Sequence, residues 1–464
     1  MNPIGALIIF ATVAIVLFSG SRRLALLAIV AGSIYVTQGQ GFLIGGFNVF
    51  SVRIFEIAGI FRVVTRKELP LRRLTRVDKA ILALYIFTAV VYCLRASEHF
   101  ANEIGVSLDG ILAYFICRSL LGGIEDLRWF LRCFAMLLIP YVLLVLIERH
   151  QGQSPWTLMG GFSSSSGWSR NGVIRCTGSF RHPSLMGSLG ASFLALYLAM
   201  LWSHTDKKTG YVGAILCLLL VAASNSGAPL NFAGVIIVGW IAWRFRTKVK
   251  WIFRGMLVLV VLLAIVMKAP VWFLLQRISD ITGGDGWHRA ELIDQAVRNF
   301  AQWWFAGMDL AKTTGWFATV LPNVESADIC NQFVLFGLTA GIGAVALFVT
   351  LLLFVFKALG KAIALVRSRG RYPRYTEYYL WGLGVLLVGH ISNWLGITYY
   401  DQFYMIWSLQ LAAMVNLSEE IIGESATPPI GDPDPMQNNI GPDVDKNVDP
   451  VDVGNLNRAH VADT

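Results

Sequence analysis

Apolar residues along this chain gather in long runs broken by short polar or basic stretches, and residues 256–266 and 345–356 are almost unbroken. A helix that crosses the hydrocarbon needs about 20 such residues, whereas a lipid-facing strand needs strict alternation, so the pattern predicts helical spans and excludes a transmembrane barrel. Spans read in this way fall near 5–20, 24–38, 42–61, 80–97, 104–121, 131–148, 184–203, 210–225, 228–243, 254–275, 329–356, 378–397 and 402–417. The expected fold class is an all-α polytopic membrane protein with about 12 to 13 transmembrane helices. The Gly-rich stretch 39–46 is a candidate re-entrant segment. The first apolar stretch meets Arg22 and Arg23 and then another apolar run, so it reads as a span and not as a cleaved signal peptide.

Basic residues cluster at Arg22 and Arg23, 62–79, 118–132, Lys207 and Lys208, 244–254 and 357–374. Lys and Arg collect in short cytoplasmic loops, and placing all six clusters on one side gives a consistent alternation. Two connections on the opposite side are too long for turns, residues 149–182 and 276–328, and a many-span protein with two large loops on one face is expected to work there. Residues 1–422 then form a transmembrane domain, and 423–464 an acidic cytoplasmic tail too poor in apolar residues to fold. Within the tail Asp443, Asp445, Asn447 and Asp449 imitate a calcium loop, but Val448 and Gly454 stand where the loop needs Gly and Glu.

Composition narrows the function classes. Of 464 residues 55% are hydrophobic and 14% charged, which leaves no room for a Rossmann or phosphate-loop domain. No GxxxxGK[ST] or basic-aromatic nucleic-acid motif occurs, so nucleic acid is set aside as a partner. From Ser418 onward ten acidic residues face two basic ones, a net of −8, so the body carries +17 of the overall +9. Six cysteines stand singly with no CxxC, which argues against a disulfide framework or zinc site.

The chemistry-bearing residues lie in the two long connections and at the mouths of the late spans. Arg175, Arg181 and His182 precede Pro183, a residue favoured in the first turn of a helix. An open helix N-terminus ringed by arginines makes an anion site, and a guanidinium can grip phosphate oxygens with paired donors. In the second connection His288 and Arg289 open a helical pattern with Ala290, Ile293, Val297, Phe300 and Trp304 on one face and Glu291, Asp294, Arg298 and Gln302 on another. This is expected to lie at the interface, with Asp294 and Arg298 as an exposed structural pair. Asp328, as a helix cap or a site residue, stands with Asn331 at the mouth of the eleventh span, and Asp401 and Gln402 at that of the thirteenth. Arg53 and Glu56, three apart, are expected to neutralise one another. The intramembrane His390 is expected to hydrogen-bond between helices. Trp156, Trp168, Trp287, Trp303, Trp304 and Trp316 read mostly as an interfacial belt.

The arrangement resembles the O-antigen ligase and polymerase family of bacterial membrane glycan-assembly proteins. The likeness lies in Arg175-x-Thr-Gly-x-Phe-x-His-Pro-Ser-x-x-Gly187, in Ser224-Asn-Ser-Gly227, in the Trp287-His-Arg289 helix, in Asn331 with Gly341, and in Tyr400-Asp401-Gln402. It covers residues 118–402. The resemblance implies metal-independent, cofactor-free glycosyl transfer on the outer face of the bacterial cytoplasmic membrane. The substrate it implies is an undecaprenyl-pyrophosphate-linked glycan, with membrane lipid and polysaccharide-assembly or chain-length proteins as partners. It implies that Arg175 and Arg289 hold the pyrophosphate. Ligases of this kind carry a His-Asn pair where this chain has Cys330 and Asn331, so an exopolysaccharide or O-antigen polymerase is favoured over a ligase.

A pyrophosphate leaving group needs fixed cations or a metal, and here arginines are available. An acceptor hydroxyl needs a base, for which His182, His288 and Asp328 are candidates. The competing class is a polysaccharide or small-solute transporter without bond chemistry, which would place its key charges near the bilayer midplane.

Overall fold

Asn2 and Ser21 open the first two helices by accepting the Ile4 and Leu24 amides with their side chains. The computed structural model describes residues 2–44, 47–69, 74–95, 100–159, 169–170, 172–203, 205–277, 286–317, 327–370 and 372–426. In chain order the helices are α1 (Pro3–Phe18), α2 (Arg22–Tyr35), α3 (Ser51–Thr65), α4 (Arg76–Arg95), α5 (Phe100–Leu120), α6 (Ile124–Gln151), α7 (Pro183–Met200), α8 (Lys207–Ser224), α9 (Gly227–Ile241), α10 (Val249–Val266), α11 (Gly286–Arg298), α12 (Gln332–Arg369), α13 (Arg374–Trp394) and α14 (Phe403–Ala426). Two small antiparallel pairs accompany them, β1 (Gly41–Ile44) with β2 (Phe47–Phe50) and β3 (Ser169–Arg170) with β4 (Val173–Ile174). Among the described residues seven helices are long and apolar enough to cross a membrane: α4 to α8, α9 with its extension to Lys248, and α12. Trp251–Val266 and the following Val271–Arg277 form a further candidate bent by 102°. The chain is an all-α polytopic membrane protein.

Helix α7 is the axis around which the site is built, and nearly all of it is buried. Its small residues permit this. A Cβ on Gly187 would run into Ser224 and Pro229, and one on Gly190 would stand 2.8 Å from Leu220, so α8 and α9 close tightly on this helix. On α13, Gly389 likewise admits the Phe232 ring of α9.

The described residues of the six basic clusters gather at one end of the helices, where many are paired. Arg128 bonds Asp206 at 2.6 Å and Glu125 at 2.6 Å, Arg62 lies 3.3 Å from Glu68, Arg367 bonds Glu377 at 2.6 Å, and Arg118 meets Asp78, Asn416 and Glu419. The described parts of both long connections lie at the other end, called here the site end.

Several expectations are corrected. The span expected at 42–61 begins as the hairpin β1–β2, and its helix starts only at Ser51, because Gly41 packs its backbone against Val49 and Phe50. That hairpin replaces the re-entrant segment; residues 45–46 lie outside the description. Helix α12 continues past residue 356 through Lys357, Lys361 and Arg367 to Arg369, since long basic side chains tolerate a helix as well as a loop. The tail expected from Gly423 is helical as far as Ala426, and Glu420 accepts the Ile124 amide at 2.9 Å. The rest of it, with Asp443 to Asp449, lies outside the description. Arg53 does not pair with Glu56; it forms a two-pronged contact with Asp109 of α5 at 2.8 Å through both Nε and Nη2.

Helix α12 is broken at Ala340 and Gly341. Gly341 has φ +79° and ψ −173°, a region open essentially to glycine alone, and a Cβ there would strike the Phe305 carbonyl. The break exposes backbone groups that the second connection takes up: Ile342 N donates to Trp304 O at 2.7 Å and Met308 N to Leu338 O at 2.7 Å. Gly341→Val should therefore lower stability by about 2–5 kcal/mol, from strain plus overpacking. Thermal unfolding in detergent reads this, and an unchanged melting temperature would contradict the account.

Candidate functional site

The first motif is held by its backbone. Glu148, at the end of α6 and fully buried, accepts the Thr177 amide at 2.8 Å, the Thr177 hydroxyl at 3.2 Å and the Gly178 amide at 2.9 Å. Gly178 has φ +56°, and a Cβ would meet the Tyr141 hydroxyl. Cys176 N donates to Ala223 O, and Ser179 Oγ to Ile34 O at 2.5 Å. The motif is thus stitched to α2, α6 and α8. Burial pushes the Cys176 thiol up to about 12, so it is no nucleophile at neutral pH. Arg175 reaches across to α9, where its Nη2 donates to Ser226 Oγ at 2.8 Å.

The helix N-terminus behind this motif is closed, contrary to the expected anion site. Pro183 is the first residue of α7 as expected, but His182 caps the helix: its Nδ1 accepts the Ser184 amide at 3.1 Å, and its carbonyl accepts from Leu185. A ring that accepts at Nδ1 carries its proton on Nε2, which leaves His182 no lone pair for an acceptor hydroxyl. Arg181 turns elsewhere, to Asp401 at 2.9 Å and over the Phe50 ring at 5.4 Å.

Helix α11 brings the second set. Arg289 Nε donates to Gly396 O at 3.1 Å, and a side chain at Gly396 would crowd that guanidinium. His288 stacks on Phe317 with ring centres 4.6 Å apart, and its Nδ1 is 3.6 Å from Cys330 Sγ. The face of α11 buried in the protein carries Ala290, Leu292 and Ala296, while Val297, Phe300 and Trp304 of the expected apolar stripe are exposed. Two apolar stripes fit an interfacial helix seated between protein and lipid. The Asp294 and Arg298 pair is present at 2.5 Å, yet Asp294 is buried and also accepts from Trp272 Nε1 at 3.2 Å, so the pair is not the exposed contact expected. Trp156, Trp303 and Trp316 are buried, which leaves Trp287 and Trp304 as exposed belt residues; Trp168 lies outside the description.

The connection between α13 and α14, residues 395–402, joins these pieces. Arg289 holds Gly396 O, Gln332 Oε1 accepts the Tyr399 amide at 2.8 Å, Arg181 pairs with Asp401, and Gln402 Nε2 donates to Ser179 O at 3.1 Å and Val36 O at 3.4 Å. Asp401 sits at φ +54°, the left-handed region. Burial raises its carboxyl to about 6, partly offset by Arg181 and Arg53 and reinforced by Asp109. Behind it runs a buried relay: Asn393 Nδ2 donates to Tyr399 Oη at 3.1 Å, Tyr399 Oη–H to His390 Nδ1 at 2.6 Å, His390 Nε2–H to Gln410 Oε1 at 2.7 Å, and Gln410 Nε2 to Ser192 Oγ at 3.0 Å. His390 thus binds α7, α13 and α14 together, as expected of an interhelical histidine.

Asn331, not Asp328, caps α12, accepting the Phe333 and Val334 amides at 3.0 and 3.1 Å, while Asp328 is exposed beside Tyr400. Arg175, Arg181, Arg289, Asn331, Asp401 and Gln402 converge on the site end. Gln332 and Tyr399, from the polar mouths of the same two late spans, join them, and so does Glu148, which sequence reasoning missed; a lone carboxylate closing the apolar run 134–147 was the available signal for it. No protein-family model matches the chain, and no curated protein shows significant similarity to it. The functional reading therefore stands on this geometry.

Proposed function

We propose that this chain is a membrane glycosyltransferase that polymerises polyprenyl-pyrophosphate-linked oligosaccharide repeat units, acting on the face of the bacterial cytoplasmic membrane away from the cytoplasm. One observation carries the reading: Arg175 and Arg289 are anchored to neighbouring helix ends. Helices α9 and α13 touch at Phe232 and Gly389. Arg175 is held on Ser226, and Arg289 on Gly396, each six or seven residues beyond that contact toward the site end. At about 1.5 Å per residue both anchors stand about 10 Å past it, at a similar level on two adjoining helices, which supports both guanidinium groups serving one diphosphate.

Each arginine presents planar paired donors, and together they balance the charge that grows on a departing pyrophosphate. The exposed apolar residues Val297, Phe300, Trp304 and Phe305 on and after α11 suit a lipid-linked donor arriving from the bilayer. The placement of these charges at one end of the helices supports bond chemistry over the transporter alternative, which calls for them at the midplane. The ligase alternative differs in product: it moves a finished glycan once, whereas a polymerase lengthens it.

The test is purified protein incubated with a lipid-linked repeat unit. Glycans of several repeats are expected, and repeat units recovered unextended would refute the reading. Sidedness is tested separately. Cysteines at Ser169 and Lys312, both exposed in the long connections, should react with an impermeant thiol reagent in intact spheroplasts, in a background lacking the exposed Cys93. Thr313 is unsuitable for this purpose because it is fully buried. Protection of both sites until lysis would reverse the topology.

A further inference from the structure

We propose that Asp401, held by Arg181, is the catalytic base that takes the proton from the acceptor sugar hydroxyl, an assignment that rests on the polymerase reading above.

The argument begins with how the carboxylate is presented. A non-glycine residue in the left-handed region is strained unless its surroundings hold it, and such positions concentrate at functional sites. Here the neighbours hold it from both sides, through the Tyr399 amide on Gln332 and the Gln402 amide on Ser179 O. The side chain is mostly enclosed but not sealed. Its Oδ2 is buried and held by charge in an ion pair with Arg181 Nε at 2.9 Å, without a hydrogen bond of its own, and among the described residues no hydrogen bond reaches Oδ1 either. One oxygen is thus fixed and the other left to accept.

Of the rival groups, two histidines have Nδ1 engaged and one carboxylate is unheld. His182 spends its lone pair on the Ser184 amide. His288 is stacked against Phe317 with Nδ1 turned to Cys330. Asp328 is an exposed carboxylate with no described partner to orient its side chain. Only Asp401 lies on the same connection that Arg289 grips at Gly396, five residues away, and against the loop that carries Arg175.

The charged and titratable groups around Asp401 are Arg181 from the first connection, Arg53 of α3, Asp109 of α5, the neighbouring Tyr400, and Tyr404 of α14. Arg53 is already committed to Asp109. Arg181 is therefore the cation that most directly sets the proton affinity of this carboxyl. The step balances as follows. The acceptor hydroxyl oxygen bonds to the anomeric carbon of the donor sugar, the bond from that carbon to the pyrophosphate oxygen breaks with its electron pair leaving on the lipid pyrophosphate, and the hydroxyl proton passes to Asp401 Oδ1 and then to water.

The experiment measures initial rates of elongation by the full-length protein in lipid nanodiscs, with a lipid-linked repeat unit as both donor and acceptor, across about pH 5 to 8. The wild type should show a rate that rises with pH through a midpoint near 6, as the carboxyl ionises. Asp401→Asn should lower kcat by about a hundredfold to ten-thousandfold with little change in KM, and should flatten that limb; Asp401→Glu should retain it. Arg181→Gln removes a charge that favours the carboxylate, so its limb should move to higher pH. A near-normal kcat for Asp401→Asn with the acid limb intact would overturn the assignment while leaving the polymerase reading standing. A wild-type protein that never elongates the repeat unit would refute that reading and this assignment with it. Where Asp401→Asn fails to fold, the Arg181→Gln limb decides: an upward shift supports the assignment and an unmoved limb overturns it.

Discussion

Arg175→Lys and Arg289→Lys should each lose about a hundredfold to a thousandfold in polymer synthesis, equivalent to about 3–4 kcal/mol, the scale of removing one donor from a developing oxyanion. Lysine keeps the charge but loses the planar fork. For Arg175 that fork has two tasks, since one Nη is spent on Ser226 and a point charge cannot serve both Ser226 and a phosphate. For Arg289 the Nε contact to Gly396 O orients the head group, and an ammonium has no counterpart to it. Polymer length and yield would be compared at matched protein levels, with exposed Lys312→Gln as a variant expected to be near normal. Near-normal synthesis by both lysine variants would remove the diphosphate clamp and favour transport.

The second large effect is expected from a residue that touches no substrate. Glu148→Ala leaves the Thr177 and Gly178 amides buried without their acceptor, at about 1–3 kcal/mol each, and frees the loop that aims Arg175. The protein should melt at a lower temperature and lose synthesis even where it remains monodisperse in detergent. Glu148→Gln retains an acceptor oxygen and should fall between the two. Equal melting temperatures for wild type and Glu148→Ala would show that the loop is held by something else.

The helical layout was legible because lipid and core both demand apolar side chains over one helix length, and most expected spans fall within a few residues of their helices. Errors arose where that demand says nothing. The hairpin 41–50 is as apolar as a helix, and only Gly41 and its strand partners distinguish it. The end of α12 is basic, which hydropathy reads as loop although the backbone continues unbroken. The first motif and Arg289 were visible as local clusters of charge. What holds them was not, because Glu148 meets Thr177 across 29 residues and Gln332 meets Tyr399 across 67, and no periodicity connects positions so far apart. The apolar stripe of α11 is legible, but not which of its members meet protein, Ala290 being buried and Val297, Phe300 and Trp304 exposed, since a helix seated between protein and lipid has two dry sides and the sequence does not rank them.

The connection 395–402 is gripped largely through main-chain atoms: Gly396 gives a carbonyl, Tyr399 an amide, and Gln402 reaches carbonyls on other segments. A scaffold fastened in this way leaves Thr398, partly exposed on the same loop, with no side-chain hydrogen bond among the described residues, whereas Tyr400 rests on the core. On the proposed reading Thr398 is a position where the choice of accepted sugar can be altered without disturbing the groups that release the lipid pyrophosphate from the donor sugar, so altered substrate choice should be sought there first.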